Sequence, residues 1–188
     1  MTDFSYLNNQ FLIAMPNLAD TNFSHTVSYL CQHNEEGALA IVINRTTGMF
    51  LPQILEQMEI DASLPQIKDT PVFAGGPVQQ DRGFIIHNQD EQVWDASIAI
   101  SETTSLTSSR DILEAIAEGK GPSQYLIALG YAGWGAGHLE NEIINNSWLN
   151  TPFQEDILYH TPIQQRWKQA ANQLGIDINR LTAPAGHG

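Results

Sequence analysis

The sequence predicts an α+β fold: a single domain over residues 1–188, built on a largely antiparallel, curved or barrel-like sheet with flanking helices. Apolar strand-like runs follow one another through short turns instead of alternating with helices, which favours an antiparallel sheet over a doubly wound one. A chain of 188 residues can bury one substantial core. Its hydrophobic content of 42% and aromatic content of 9% are those of an ordinary globular protein.

Phe11-Leu12-Ile13-Ala14-Met15 reads as a strand that stops at Pro16. Thr26 to Cys31 and Ala38 to Ile43 flank the polar segment His33-Asn34-Glu35-Glu36-Gly37 and read as a hairpin. Phe23, Val27, Leu30 and Cys31 also fit a helix, but the β-branched and aromatic residues favour strands. Asn44 to Gly48 is a polar turn, and Leu51, Ile54, Leu55 and Met58 then recur at helical spacing, with Pro52 tolerated in the first turn. Pro71 to Ala74 is a short strand running into Gly75-Gly76-Pro77. Gly83 to His87 is another, and Val93 to Ser101 is expected to pair back on it antiparallel. Ser108-Ser109-Arg110-Asp111 opens a helix, with a hydroxyl to cap it and Asp111 at its positive end, and Gly119 closes it. Thr161-Pro162 starts the last long helix, whose stripe is Ile163, Trp167, Ala170, Ala171 and Leu174; the tail from Ile176 to Gly188 is expected to be irregular.

Charge and cysteine content narrow the function. Lys and Arg number 8 against 21 Asp and Glu, a formal charge of -13, and the cations are scattered along the chain. Nucleic-acid binding needs clustered cations to neutralise phosphates, so no direct nucleic-acid partner is expected. The single Cys31 forms no intrachain disulfide and lies between apolar neighbours, where a thiol acts as a small hydrophobe. Met1 to Gln10 lacks the pattern of a signal peptide, and no apolar stretch approaches the ~18 residues of a membrane span. The expectation is a cytoplasmic protein with no membrane partner.

The segment with most to explain is Leu129-Gly130-Tyr131-Ala132-Gly133-Trp134-Gly135-Ala136-Gly137-His138, placed between the apolar run Tyr125 to Leu129 and a helix from about Gly137 to Asn145. It reads as a glycine loop at a strand-to-helix turn, either an anion cradle or a closely packed corner. The third glycine of a dinucleotide fingerprint is absent, since His138 stands there, and Glu140 and Glu142 oppose a phosphate. His138 and Glu142 share a helix face and, with His87, His160 or His187, suggest a metal, but two ligands make no site. No metal and no cofactor are assigned. Ser108, Ser109 and Asp111 suggest a hydrolytic triad only until the helix cap explains them, and no Gly-x-Ser-x-Gly elbow is present. Catalytic residues remain unassigned. Arg45, which closes an apolar strand, calls for a carboxylate, and Glu140 or Glu142 could supply it. The candidate ligand-binding corner is therefore Asn44, Arg45, Gly75, Gly76, Trp134, His138, Glu140 and Glu142, assembled where strands ending at Ile43, Ala74 and Leu129 bring their turns together.

Through Leu12-Ile13-Ala14-Met15-Pro16, Asn44-Arg45, Phe73-Ala74-Gly75-Gly76-Pro77-Val78, Arg82-Gly83-Phe84, Ser108-Ser109-Arg110-Asp111 and the Gly130-Tyr131-Ala132-Gly133-Trp134 run, the chain resembles the YqgE/AlgH family of small bacterial proteins, almost end to end. The resemblance implies an α+β fold with a barrel-like sheet and a family whose molecular function is not established. One branch of it is named for an influence on alginate production and is sometimes called a transcriptional regulator. His138 stands where that family more often has Gln, and Thr46 where it usually has Pro. Two functions are thus expected to compete. One is a non-enzymatic binding or regulatory protein with an unknown protein or small-molecule partner; the other is an enzyme or metal-dependent protein with a polar cleft around Gly130 to Gly137.

Overall fold

The structure is a computed structural model that describes residues 5–181. It is α+β, and every strand pairing but one is antiparallel. The chain divides into two compact units: Met1–Asn44 with Ala132–Gly188, and Arg45–Tyr131.

In the first unit β1 (Gln10–Ala14) lies between β2 (Val27–Asn34) and β10 (Trp148–Pro152), while β3 (Gly37–Val42) follows β2 and pairs with the last residues of β9 (Tyr125–Gly135). The predicted hairpin is β2–β3, with its register broken by a bulge between Leu30 and Gln32. Phe11, Leu12, Ile13 and Ala14 are all fully buried, so β1 has no solvent face, and its unbroken apolar sequence follows from burial on both sides. Helices α3 (His138–Ile144), α4 (Glu155–Tyr159) and α5 (Arg166–Asn172) complete the unit.

Trp167 anchors α5 as its apolar spacing predicts: it is buried and its indole N–H donates to the Ala14 carbonyl at 3.0 Å. Ala170 and Ala171 are buried beside it, but Leu174 is 39% exposed because the helix has already ended at Asn172. Arg166 is buried too. It donates to the carbonyls of Ile43 at 2.7 Å and Thr161 at 2.9 Å, and burial lowers its pKa to about 10, which leaves it charged at neutral pH. This is the deeply buried arginine of the first unit; Arg45, at the start of the second unit, is half-buried.

The second unit contains β4 (Thr46–Phe50), α1 (Leu51–Gln57), β5 (Pro71–Ala74), β6 (Val78–Asn88), β7 (Ser97–Ala99), β8 (Thr104–Thr107), α2 (Arg110–Ala117) and β9 up to Tyr131. Here β9 pairs antiparallel with β6 and parallel with β5. Leu51, Leu55, Val72, Ile85, Ile112, Ile116 and Ile127 form the core. Two expectations fail here. Residues 93–101 do not pair back on β6: β8 does, and β7 pairs with β8. The segment after Asn44 is not only a turn, since β4 pairs with β5. Both missed strands are rich in Ser and Thr. In β8 all four residues are buried, so hydroxyls occupy places where an apolar signal was sought.

Replacing Trp167 with Ala removes both the packing and the indole hydrogen bond, and should lower stability by about 3–5 kcal/mol in urea denaturation. An unchanged midpoint would place α5 outside the core.

Candidate functional site

The glycine run is not a loop. Strand β9 continues through Gly133 and Trp134 to Gly135, and α3 begins at His138 after a turn at Ala136-Gly137. Two of these glycines have visible backbone reasons. Gly130 sits at φ +78°, and a Cβ there would meet the Gly76 carbonyl oxygen at 2.4 Å, with that of Val78 at 3.1 Å. Gly137 precedes α3 at φ +74°, a left-handed conformation that side chains rarely adopt. On the facing strand Gly37 is equally forced, because a Cβ there would lie 2.2 Å from the Trp134 carbonyl oxygen.

The predicted corner falls into two groups, one in each unit. In the second unit the Arg45 carbonyl accepts the Ala74 amide at 2.9 Å, and the Gly75 amide donates to Leu129 at 2.8 Å, so the Gly75-Gly76 turn does lie against Gly130. In the first unit Asn44 closes the β2–β3 end, accepting from the Val27 amide at 3.0 Å and donating to the His25 carbonyl at 2.9 Å. Glu142 accepts both the Trp134 and Trp148 indole N–H groups, at 2.6 and 2.9 Å. Phe23 stacks on Trp134 with ring centroids 6.1 Å apart. Glu140 pairs with buried His33; the Leu7 amide donates to His33 Nδ1 at 3.0 Å, so Nε2 carries the proton that faces Glu140. His138 is exposed. The carboxylates expected to hold Arg45 are thus engaged by an imidazole and two indoles.

For the metal reading, Glu142 is engaged as described, and His87 is buried in the second unit, with Nδ1 donating to the Asn88 carbonyl at 2.9 Å and Nε2 2.7 Å from the Thr107 hydroxyl. Burial pushes the His87 imidazole below its usual pKa range. His187 lies outside the described residues, and among those no group of three or more His, Cys, Asp or Glu is placed to hold a metal ion.

What sequence reasoning missed is a cleft of about 290 Å³ in the second unit. Its apolar walls come from Ile54 and Met58 at α1, Ile85 on β6, Leu113 on α2, and Ile127 and Leu129 on β9. Its polar edge comes from Gln57, Asp81, Ser108, Ser109 and Arg110. Between Val78 and Gly83 the pairing of β6 with β9 shifts register, and Asp81 in that interval lines the opening. Arg82 ties that interval to the start of α2 by donating to Ser108 Oγ at 3.0 Å, and its guanidinium lies 5.2 Å from the Phe84 ring centre.

The expected cap of α2 takes a different form. The Ser109 hydroxyl accepts the Ala96 amide at 3.0 Å, not a helix amide, and donates to Asp111 at 2.6 Å. Asp111 in turn accepts the Asp95 amide at 2.8 Å and the Ile112 amide at 2.9 Å.

The AlgH-like family model matches residues 11–179. The chain belongs to the AlgH-like family. Among its relatives, a UPF0301 protein of Methylococcus capsulatus is 51% identical over 187 residues, covering 100% of this chain and 99% of its own. Another, from Thioalkalivibrio sulfidiphilus, is 52% identical and is covered in full on both sides. The solution structure of the AlgH protein from Pseudomonas aeruginosa is similar over 100% of both chains, at 44% identity and a TM-score of 0.80. The crystal structure of a Corynebacterium diphtheriae protein, DIP2367, shares the fold at 15% identity and a TM-score of 0.74, over 97% of this chain and 95% of its own.

The AlgH-like motifs divide by role. The Gly130 to Trp134 run serves backbone approach and the indole–Glu142 contact, whereas Arg82-Gly83 and Ser108 to Arg110 line or brace the cleft. Nothing in the spacing of these segments announces that they meet, since 26 residues separate Arg82 from Ser108.

Burial works against the Asp111 carboxylate, but the Ser109 hydroxyl and the Asp95 and Ile112 amides outweigh it and hold its pKa below the usual range. A folded value below the unfolded one, about 3.9, adds stability that is fully present above the unfolded value and fades as pH falls through the folded one. Asp111→Asn should therefore lower stability at pH 7 by on the order of 1 kcal/mol. In urea denaturation at a series of pH values, the gap to the parent should close toward about pH 2. A gap that stays constant with pH would contradict this role.

Proposed function

We propose that the chain is a non-enzymatic binding protein that takes a small molecule in the cleft of its second unit. The carrying observation is the cleft itself, with apolar walls from α1, β6, α2 and β9 and a short polar edge, the composition that small-molecule sites generally share. The imidazoles and carboxylates that a catalytic reading would recruit are bonded to one another or to a neighbouring hydroxyl: His33 to Glu140, His87 to Thr107, Asp111 to Ser109. This supports binding over chemistry, and it leaves the alternative, an enzyme or metal-dependent protein around Gly130 to Gly137, with its carboxylates already engaged. Among the described residues no helix is long and apolar enough to cross a membrane. We place the protein in the cytoplasm, where an influence on gene expression would be indirect, through the bound ligand, without contact with DNA.

Gly83 offers a clean test. It lines the cleft, and a Cβ built on it meets nothing within 4 Å. Gly83→Val should fold normally, fill the opening, and abolish the amide shifts that a fragment screen by NMR produces at residues 83–85 and 108–110 of the parent. Fragments that shift only residues around His33 and Trp134 would overturn the assignment.

A further inference from the structure

We infer that the cleft selects a zwitterion with an apolar side chain, the chemistry of a free hydrophobic α-amino acid; this rests on the cleft being a binding site. Charges of both signs line the same opening, Asp81 on β6 and Arg110 at the start of α2. Asp81 has no hydrogen-bond or ion-pair partner among the described residues. Arg110 spends Nε on Glu114 at 2.7 Å, leaving its two Nη groups available. Ser108 accepts from Arg82, which leaves its own hydroxyl proton to donate.

The start of α2 does not act as an anion site, because Asp111 already holds the Ile112 amide there. An anionic head alone would leave Asp81 facing a like charge, and a cationic head alone would leave the Nη groups of Arg110, whose Nε is paired with Glu114, without an acceptor. A ligand carrying an ammonium for Asp81 and a carboxylate for Arg110 and Ser108 satisfies both at once. Its apolar side chain would then fill the space walled by Ile54, Ile85, Leu113 and Ile127. The volume of about 290 Å³ suits a single such unit and not a dinucleotide or a long acyl chain.

Calorimetry and NMR titration of the full chain with L-leucine, L-methionine and L-phenylalanine test this, each paired with its deaminated acid and its decarboxylated amine. At least one amino acid should bind about tenfold or more tighter than either singly charged counterpart, shifting the amides of residues 81–83 and 108–110. Asp81→Asn and Arg110→Gln should each weaken it by about tenfold; Asp81→Asn should spare the acid, and Arg110→Gln the amine. Acids or amines that bind as tightly as the amino acids, with shifts at the same residues, would overturn the zwitterion while keeping the cleft as the site. A full panel that leaves those residues unmoved, together with a fragment screen that also leaves them unmoved, would overturn both.

Discussion

Close backbone approach along β9 is the constraint on which both units depend. At Gly130 a neighbouring carbonyl comes so near that no side chain could be accommodated, and at Trp134 the carbonyl of β9 itself excludes a side chain from Gly37. The first seven residues of β9 belong to the second unit and the last four to the first, so one strand supplies a pairing edge to each. In the second unit it stands between β6 and β5, and the parallel pairing with β5 is what brings the Gly75-Gly76 turn beside Gly130. Gly130 and Gly37 are thus explained by the neighbouring backbone, and no ligand need be invoked for them.

From this frame follow two regions of different character. In the first unit polar groups are used to fasten secondary structure: Glu142 gathers two indoles, Glu140 faces a buried imidazole, and Arg166 bonds to the carbonyls of Ile43 and Thr161. Breaking one partner of such an arrangement leaves a buried polar atom unsatisfied, which is costly, so these contacts are read as structural. In the second unit the register shift of β6 opens a gap in the pairing, and Asp81, Gln57 and Arg110 keep bonding capacity toward it. Function is assigned where capacity is unspent.

Much of the fold could be read from local pattern. The β2–β3 hairpin, α1, β5 and α2 all carry continuous apolar or periodic signals with turn residues at their ends, and Trp167 sits in the core where its spacing puts it. The misses have physical causes. Strand β10 pairs only with β1, where Gln10 faces Pro152, and a short edge strand with so distant a partner leaves no local trace. Gly130 looks like a turn residue because isolation from context hides the Gly76 and Val78 carbonyls that demand it. The cleft was invisible for a related reason: its edge is assembled from segments whose meeting is tertiary.

The most direct test of the claim about β9 compares two glycines of the second unit by urea denaturation. Gly130 is left-handed and pressed against the Gly76 carbonyl, while Gly83 has no left-handed φ and faces open space. Gly130→Ala should lose more than about 2 kcal/mol, from left-handed strain and the clash together, or fail to fold. Gly83→Ala should stay within about 1 kcal/mol of the parent, on the stabilising side. Equal, small effects at the two positions would contradict the account.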